Sequence, residues 1–329
     1  MGEEQTSFPR FRRVGTAPRI ALTDDDVEIL RRVFRYRFVR ADDLYRLFDQ
    51  RSPDKISRRL VRLYRNHYLD RPIAQVDRYR EGGSKAMVYG LDNAGARFIA
   101  ETLGVSVPSG EWKSRNRSYT RENLDHTLST TKFLIDLEIA CRSRADVEFL
   151  PFEEIVETAP EATRRLPRPG RWSVQVRWGD ASGDVLLIPD AIFGLRLTQP
   201  DGRKIRSFVF LEIDRGTMTI VPSKHVHESS AFLHRSSILR KLLTYATSHH
   251  LQLHKEHLGL PVARVLFLTP SAARADAMRQ AASSFVIKPM RLAPGLLLFG
   301  TLADAATPLN TRWFDADNQP TQLVPERLS

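Results

Sequence analysis

One stretch decides the fold of most of this chain: DVLLIPDAIFGLRLTQPDGRKIRSFVFLEIDRGT, from Asp184 to Thr217. It contains two apolar runs of strand length, Val185–Leu197 and Ser207–Asp214. The residues between them, Gln199–Gly202, have the composition of a tight turn. The stretch therefore predicts two β-strands that pair with each other.

Three acidic residues interrupt these apolar runs. Asp190 lies in the first run, and Glu212 and Asp214 lie in the second. Side chains alternate between the faces of a strand, so Glu212 and Asp214 point the same way, and pairing of the runs places Asp190 beside them. Three carboxylates in an apolar sheet repel one another and lose hydration, which predicts a divalent cation or a basic partner. The alternative is that the acids lie at strand ends and are solvated.

The composition is typical of a globular protein with hydrophobic cores. It has 329 residues, enough for two or three domains, and 42% are hydrophobic. The single cysteine, Cys141, excludes an intrachain disulfide framework and a cysteine-based zinc site, and suits a reducing cytoplasm. The N-terminal MGEEQTSFPRFRR lacks the apolar region of a secretion signal, and no apolar run approaches the roughly 20 residues of a membrane span. We therefore expect a cytoplasmic protein without a membrane partner.

Positive charge is concentrated in the N-terminal third. The net charge is +11, and residues 1–120 hold 24 Lys and Arg against 16 Asp and Glu, whereas the remainder holds 26 against 23. Arginine predominates in that third, and its planar fork suits phosphates and guanine edges. This distribution predicts a polyanionic partner, above all nucleic acid. The alternative is a solvated basic surface that has no partner.

Residues 21–104 have the pattern of a winged helix-turn-helix domain, preceded by a flexible basic arm at residues 1–20. Three helices are followed by a β-hairpin with a basic glycine tip, and a further helix closes the domain. The predicted elements are a helix capped by Thr23, helices at Ala41–Phe48 and from Pro53 to about His67, strands at Ile73–Tyr79 and Ala86–Leu91, and a helix at Asp92–Leu103.

The third helix carries the strongest sign of DNA binding. Ile56, Leu60 and Leu63 form an apolar stripe, and a stripe of cations lies opposite, as insertion into a major groove requires. The predicted DNA-binding residues are Lys55, Arg58, Arg59, Arg62 and Arg65 on this helix and Arg78, Arg80 and Lys85 on the hairpin. Among them Arg58, Arg59 and Arg62 are expected to contact bases, and the others mainly phosphates. The alternative is a winged helix that mediates only protein contacts.

The remainder predicts a linker at residues 105–120, an α/β domain at residues 121–305 and a loosely packed tail at residues 306–329. A long helix, four strands, a helix and further strands follow one another, which is typical of an α/β fold with a mixed central sheet. His126 begins the long helix, where a structural role is expected. His225 and His227 have a spacing compatible with zinc ligands, but a pair in a loop is weak evidence for a metal site.

The sequence resembles the replication-relaxation family of bacterial mobile elements. The resemblance rests on the winged-helix pattern, His126, Ile188–Ala191 (IPDA), Phe210–Thr217 (FLEIDRGT) and a helix that carries Lys241 and Tyr245. It implies a winged-helix DNA-binding domain joined to a restriction-endonuclease-like domain of the PD-(D/E)xK type. It also implies a role in initiating plasmid replication or in relaxing and mobilising DNA.

The chain departs from the nuclease motif at one position. By position, Asp190 and Glu212 match the motif's Mg²⁺ ligands, and Asp214 stands where the motif has lysine. A carboxylate there adds a third metal ligand but supplies no cation to a transition state. The resemblance thus implies a catalytic set of Asp190, Glu212, Asp214 and Lys241, with Lys241 or Lys224 in place of the missing lysine.

Three functions follow from these patterns. The leading hypothesis is a duplex-DNA-binding protein of plasmid or mobile-element replication or mobilisation, whose nuclease-like domain lacks full catalysis. The second is a Mg²⁺-dependent DNA nuclease, with Mg²⁺ held by Asp190, Glu212 and Asp214. The third is a winged-helix transcriptional regulator. Replication or mobilisation proteins are partners under the first hypothesis, and exposed apolar residues permit a homodimer without requiring one.

Overall fold

The computed structural model describes residues 10–13, 20–76, 85–104, 112–223 and 230–324. The fold is mixed α/β, as the sequence predicts. The chain divides into two compact units, Met1–Lys132 and Phe133–Ser329. The boundary falls within a helix, Arg121–Arg142, whose first residue is the predicted start of the second domain.

The first unit combines helices with a small antiparallel sheet. Its described elements, in chain order, are α1 (Asp24–Tyr36), β1 (Phe38–Arg40), α2 (Ala41–Leu47), α3 (Pro53–Arg65), β2 (Leu69–Asp70), β3 (Val88–Leu91), α4 (Asn93–Leu103), α5 (Trp112–Arg117) and the start of α6 (Arg121–Arg142). The strands lie in the order β1-β3-β2, and both pairings are antiparallel.

Helices α1 and α3 begin where their capping residues predict. Asp26 accepts hydrogen bonds from the backbone and hydroxyl of Thr23, at 3.0 and 2.8 Å. The Ser52 hydroxyl accepts from the Lys55 amide, and Pro53 occupies the first turn of α3. Each helix buries one apolar stripe completely: Ile29, Leu30 and Val33 in α1, and Ile56, Leu60 and Leu63 in α3.

The predicted hairpin differs from the structure at its first strand. The strand that pairs with β3 is Leu69–Asp70, whereas Ile73–Gln75 forms a short 3-10 helix, so the prediction of a strand at Ile73–Tyr79 is wrong in these residues. Pro72, which lacks an amide hydrogen, directly precedes the 3-10 helix. The expected tip lies outside the described residues, because the description stops at Val76 and resumes at Lys85.

Two segments expected to be loose are packed in the first unit. In the predicted arm, Arg13 donates to the carbonyls of Tyr64 and Leu69 and to Asp92, each at 2.7 Å. In the predicted linker, residues 112–117 form α5, and the fully buried Asn116 donates to Asp70 and to the carbonyl of Leu91. Hydrogen bonds to residues distant in sequence, which composition does not reveal, hold both segments in place.

The second unit is built on a seven-stranded mixed sheet in the order β12-β11-β10-β9-β8-β7-β4. Its strands are β4 (Val147–Leu150), β7 (Ala191–Thr198), β8 (Lys204–Ile213), β9 (Ala263–Thr269), β10 (Leu297–Thr301), β11 (Trp313–Asp315) and β12 (Pro320–Thr321). The central three, β8, β9 and β10, are parallel, and the other pairings are antiparallel. A separate antiparallel hairpin consists of β5 (Trp172–Trp178) and β6 (Ala181–Leu187).

Helices cover the sheet. The described α-helices of this unit, besides the end of α6, are α7 (Phe152–Glu157), α8 (Glu161–Arg164), α9 (Ile238–His250), α10 (Leu253–Leu258), α11 (Ala272–Ala282) and α12 (Lys288–Met290), and a π-helix at Ser283–Ile287 joins the last two. On one face, Phe210 of β8 belongs to the same buried cluster as Leu242 of α9 and Met278 of α11. On the other face, Leu211 of β8 belongs to a cluster with Leu137 of α6. Alternate residues of β8 therefore serve two cores, as in a sheet buried on both sides.

The stretch Asp184–Thr217 forms the predicted strand pair, but its first run differs from the prediction. Strands β7 and β8 pair in antiparallel register, and Gly202, at φ +81°, closes the predicted turn between them. The first run, however, is not one strand. It ends as β6 at Leu187 and resumes as β7 at Ala191, because Pro189 cannot donate a ladder hydrogen bond. Asp190 lies in this break.

The predicted loose tail is part of the second core, so that prediction is wrong for the described residues up to 324. Trp313 is fully buried in β11, and Leu323 and Val324 are 1% and 3% exposed. Short polar segments separate these buried residues, so the sequence pattern does not indicate that they belong to a core. No helix in the described part of the chain combines the length and apolarity that crossing a bilayer needs.

Candidate functional site

A buried carboxylate, Glu212, is the centre of the candidate site in the second unit. It lies near the end of β8 and is 3% exposed. Both of its oxygens accept hydrogen bonds from α9: Lys241 Nζ lies 2.5 Å from Oε2, and Tyr245 Oη lies 2.5 Å from Oε1. Lys241 and Tyr245 are four residues apart, so they project from the same face of the helix.

The ionisable groups at this centre shift one another's pKa values. Burial raises the pKa of Glu212 to about 7, the charge of Asp190 adds to the rise, and Lys241 and Tyr245 oppose it. Burial lowers the pKa of Lys241, but the charges of Glu212 and Asp190 outweigh it, and the net shift is upward. The pKa of Tyr245 is raised by burial and by Glu212, so its hydroxyl remains a donor.

Asp190 is held beside this centre by the backbone of β8. Its amide donates to the carbonyl of Leu211 at 3.0 Å, and its Oδ2 accepts from the amide of Ile213 at 2.8 Å. Leu211 and Ile213 are the neighbours of Glu212 in the chain. The break before β7 therefore directs Asp190 onto β8, and the structure brings together three of the four predicted catalytic residues: Asp190, Glu212 and Lys241.

Asp214 has a different set of partners. Arg274 contacts both of its oxygens, at 2.5 Å from Nε and 3.0 Å from a terminal nitrogen. Thr269 and the amide of Gly216 also donate to Oδ2. Burial raises the pKa of Asp214, but the hydrogen bonds from Arg274 and Thr269 prevail and hold it below its usual value.

Arg274 and Thr269 are the residues that the sequence analysis missed. Thr269 ends β9, and Arg274 lies in the first turn of α11, directly after it. Strands β8 and β9 are parallel and their carboxyl ends meet at one edge of the sheet, but this pairing is visible only in the structure. Arg274 also donates to the carbonyl of Met218 and so ties the segment after Asp214 to α11.

The structure does not bring the three predicted carboxylates together as one metal-binding group. Within the described residues, no group of three or more His, Cys, Asp or Glu side chains is placed to hold a metal ion. Arg274 donates hydrogen bonds to both oxygens of Asp214, and Lys241 and Tyr245 donate to those of Glu212. Lys224, His225 and His227 lie outside the described residues, and His126 belongs to the first unit.

The second predicted site, the cationic face of α3, divides into two groups. Arg59 turns toward the first turn of α1, where it lies 3.0 Å from Asp26 and 3.4 Å from Asp25. Lys55 and Arg51 also contact Asp25, at 3.1 and 3.3 Å. These contacts lower the pKa of Asp25 despite the opposing effect of burial. Arg59 and Lys55 therefore connect α3 to α1.

Arg58 and Arg62 form the other group. Both are exposed, and neither side chain makes a hydrogen bond or ion pair within the described part of the chain. Arg65 is half-buried and Lys85 is exposed, and each of them interacts with another residue of the protein. Arg78 and Arg80 are in the span of residues 77–84, which the structure does not describe.

The fold and the two sites define a mixed α/β protein with a cationic helix in one unit and a buried carboxylate–lysine pair in the other. A family model described as replication-relaxation matches residues 30–259. The chain belongs to the replication-relaxation family, as its motifs indicate. No curated protein and no solved structure matches it, and the family model therefore carries the assignment.

Proposed function

We propose that this protein binds duplex DNA through its first unit and acts in the replication or mobilisation of a plasmid or another mobile element. Membership in the replication-relaxation family supports the biological role. The concentration of positive charge in residues 1–120 supports a polyanionic partner. Replication or mobilisation proteins of the same element are the protein partners that this role implies.

The first unit is proposed to be a winged helix. Three helices, α1 to α3, precede the strands β2 and β3, and β1 lies between α1 and α2 and pairs with β3. This order is that of a helix-turn-helix followed by a wing, in which the third helix enters the major groove. Arg78 and Arg80, which lie outside the described residues, are proposed to contact phosphates.

The observation that carries the proposal is the free cationic edge of α3. Ile56, Leu60 and Leu63 are fully buried, so the orientation of the helix is fixed. Arg58 and Arg62 are four residues apart on the opposite side, exposed and without a described partner. Because Arg59 is held by α1, the base contacts are assigned to Arg58 and Arg62, and Arg59 positions the helix.

The test begins with selection of a preferred site from a random duplex pool by the full-length protein. Binding of Arg58→Ala/Arg62→Ala is then compared with Arg97→Ala, which removes an exposed arginine from α4 of the same unit. We expect the double variant to lose at least about tenfold in preference for the selected site over random duplex, since each bidentate base contact contributes about 1–3 kcal/mol. Equal preference in both variants would reject the assignment.

A palindromic selected site, with half-sites about one helical turn apart, would support the regulator hypothesis instead.

A second candidate function is DNA cleavage by the second unit. The contact between Lys241 and Glu212 supports it, because a lysine beside the motif's carboxylates supplies the cation that Asp214 does not. The paired state of Glu212 and Asp214 argues against the predicted Mg²⁺ site, so we assign no step to a metal. Incubation of supercoiled plasmid with Mg²⁺ or Mn²⁺ tests this function. Nicking by the wild type but not by Asp190→Ala would establish a nuclease of restriction-endonuclease type, and intact plasmid would leave DNA binding alone.

A further inference from the structure

The second unit has a basic segment of its own, at Glu161–Arg171. Its sequence, EATRRLPRPGR, comprises α8 and the loop that leads to β5, and it contains four arginines and one glutamate. The glutamate is already neutralised, because Arg165 pairs with Glu161 across one turn of α8. Three arginines of this segment, Arg164, Arg168 and Arg171, therefore carry positive charge that no acidic residue of the segment offsets.

These three side chains are available to a ligand. Arg164 and Arg168 are exposed, and Arg171 is partly exposed. None of the three has a side-chain hydrogen bond or ion pair within the part of the chain that the structure describes. The arginines of the same unit that serve the fold behave differently, since Arg264 and Arg274 each bond to backbone carbonyls and side chains.

The fold fixes the C-terminal end of this segment. Pro167 and Pro169 restrict its backbone, and Gly170 packs so closely that a Cβ there would lie 2.9 Å from Phe152 Cζ. Trp172, directly after Arg171, is buried, and its indole nitrogen donates to Ser248 at 3.0 Å. A segment ordered in advance loses less entropy when it binds a ligand.

The segment Glu161–Arg171 contacts the strand that follows Asp190. The Cβ position of Gly170 lies 3.4 Å from Ile192 Cδ1. Ile192 follows Asp190 by two residues, so the segment reaches the part of β7 that begins at the carboxylate centre. A DNA strand that approaches Asp190 is repelled by its negative charge, and the arginines of this segment attract the same strand.

We propose that Arg164, Arg168 and Arg171 form a second DNA-binding surface, which contacts backbone phosphates without reading sequence. This inference rests on the proposed DNA binding by the protein and extends it to the second unit. Arginine forks match phosphate oxygens, and three such contacts release about three counterions. The surface raises affinity equally for any duplex, whereas Arg58 and Arg62 set the preference for one site.

The test measures binding of the full-length protein to a duplex of random sequence by fluorescence anisotropy, over about 50–200 mM salt. The variant Arg164→Gln/Arg168→Gln/Arg171→Gln removes charge but keeps polar side chains. Its slope of log K against log[salt] is expected to be less steep by about 2–3 than that of the wild type. The matched variant with lysine at the three positions keeps the charge and the wild-type slope, and Arg165→Gln, whose side chain is paired, changes the slope by less than about 1.

The outcomes separate this inference from the function on which it rests. If the wild type binds duplex with a salt-dependent affinity and the triple glutamine variant has the same slope, the second surface is rejected and DNA binding stands. If the wild type does not bind duplex at any salt concentration, the proposed function itself fails. A loss of slope in the lysine variant as large as in the glutamine variant also rejects the inference, because charge would not be the cause.

Discussion

The ammonium of Lys241 lies 2.5 Å from a carboxylate oxygen of Glu212, inside a sheet where Glu212 is almost completely buried. A buried carboxylate without a partner is strongly destabilising, so the pair is what makes Glu212 tolerable in this position. The same pair places a lysine beside Glu212, two residues before Asp214 in the chain. The lysine comes from a helix that packs on the sheet instead of from the strand.

The raised pKa of Glu212 predicts a pH dependence of stability. The folded protein holds this proton up to about pH 7, and the unfolded chain releases it near the ordinary glutamate value of 4.5. Between these values the folded state binds more protons, so the free energy of unfolding falls as the pH rises, by up to about 3 kcal/mol. Urea denaturation of the wild type and of Glu212→Gln, in chelator, measures this. The variant should lose the slope, and the exposed control Glu157→Gln should keep it. Parallel pH profiles for wild type and Glu212→Gln would contradict the prediction.

The ion pair of Asp214 and Arg274 predicts a structural role for an arginine outside the family motif. Arg274→Ala leaves a largely buried carboxylate with fewer donors and frees the carbonyl of Met218. We expect the free energy of unfolding to fall by about 2–3 kcal/mol in denaturant titration. Asp276→Ala, which breaks an exposed ion pair on the same helix, should change it by about 0.5 kcal/mol or less. Equal effects of the two substitutions would show that Asp214 does not depend on Arg274.

The fold of the second unit was largely predictable because its strands are apolar and its turn is unambiguous. The two apolar runs of Asp184–Thr217 pair with each other across the predicted turn, as β7 and β8 show. The failures have a common physical reason. Trp313, Asn116 and Arg13 are held by partners distant in sequence, and local periodicity contains no information on such partners.

The candidate site was predictable in its residues but not in their pairing. The alternation of β8 indicates that Glu212 and Asp214 share a face, and the motif suggests a lysine from α9. Which cation meets which carboxylate depends on the register of β9 beside β8, which places Thr269 and Arg274 at Asp214. In the same way, helical spacing puts Arg59 on the cationic face of α3 but does not reveal Asp25 and Asp26 beside it.

The contacts of Arg59 predict that it stabilises the first unit. Its guanidinium is largely buried between Asp25 and Asp26, so Arg59→Ala should lower the free energy of unfolding by about 1–2 kcal/mol. Arg58→Ala removes an exposed side chain without a described partner and should change stability by about 0.5 kcal/mol or less. Denaturant titration followed by circular dichroism compares the two variants. If Arg58→Ala were the more destabilising, the division of the α3 cations into structural and DNA-contacting groups would be wrong.

The buried end of the chain predicts that the segment after residue 306 is required for the stability of the second unit. Trp313 is fully buried in β11, and its ring packs where Gly300 of β10 leaves room, because a Cβ at Gly300 would lie 2.5 Å from it. Trp313→Ala leaves a large cavity and should lower the free energy of unfolding by about 3–5 kcal/mol. The next residue, Phe314, is 42% exposed, so Phe314→Ala is the matched control and should cost about 1 kcal/mol or less. Thermal and urea unfolding of the two variants measure the difference. A stable Trp313→Ala variant would mean that the segment is as loosely packed as its composition suggests, and that β11 contributes little to the sheet.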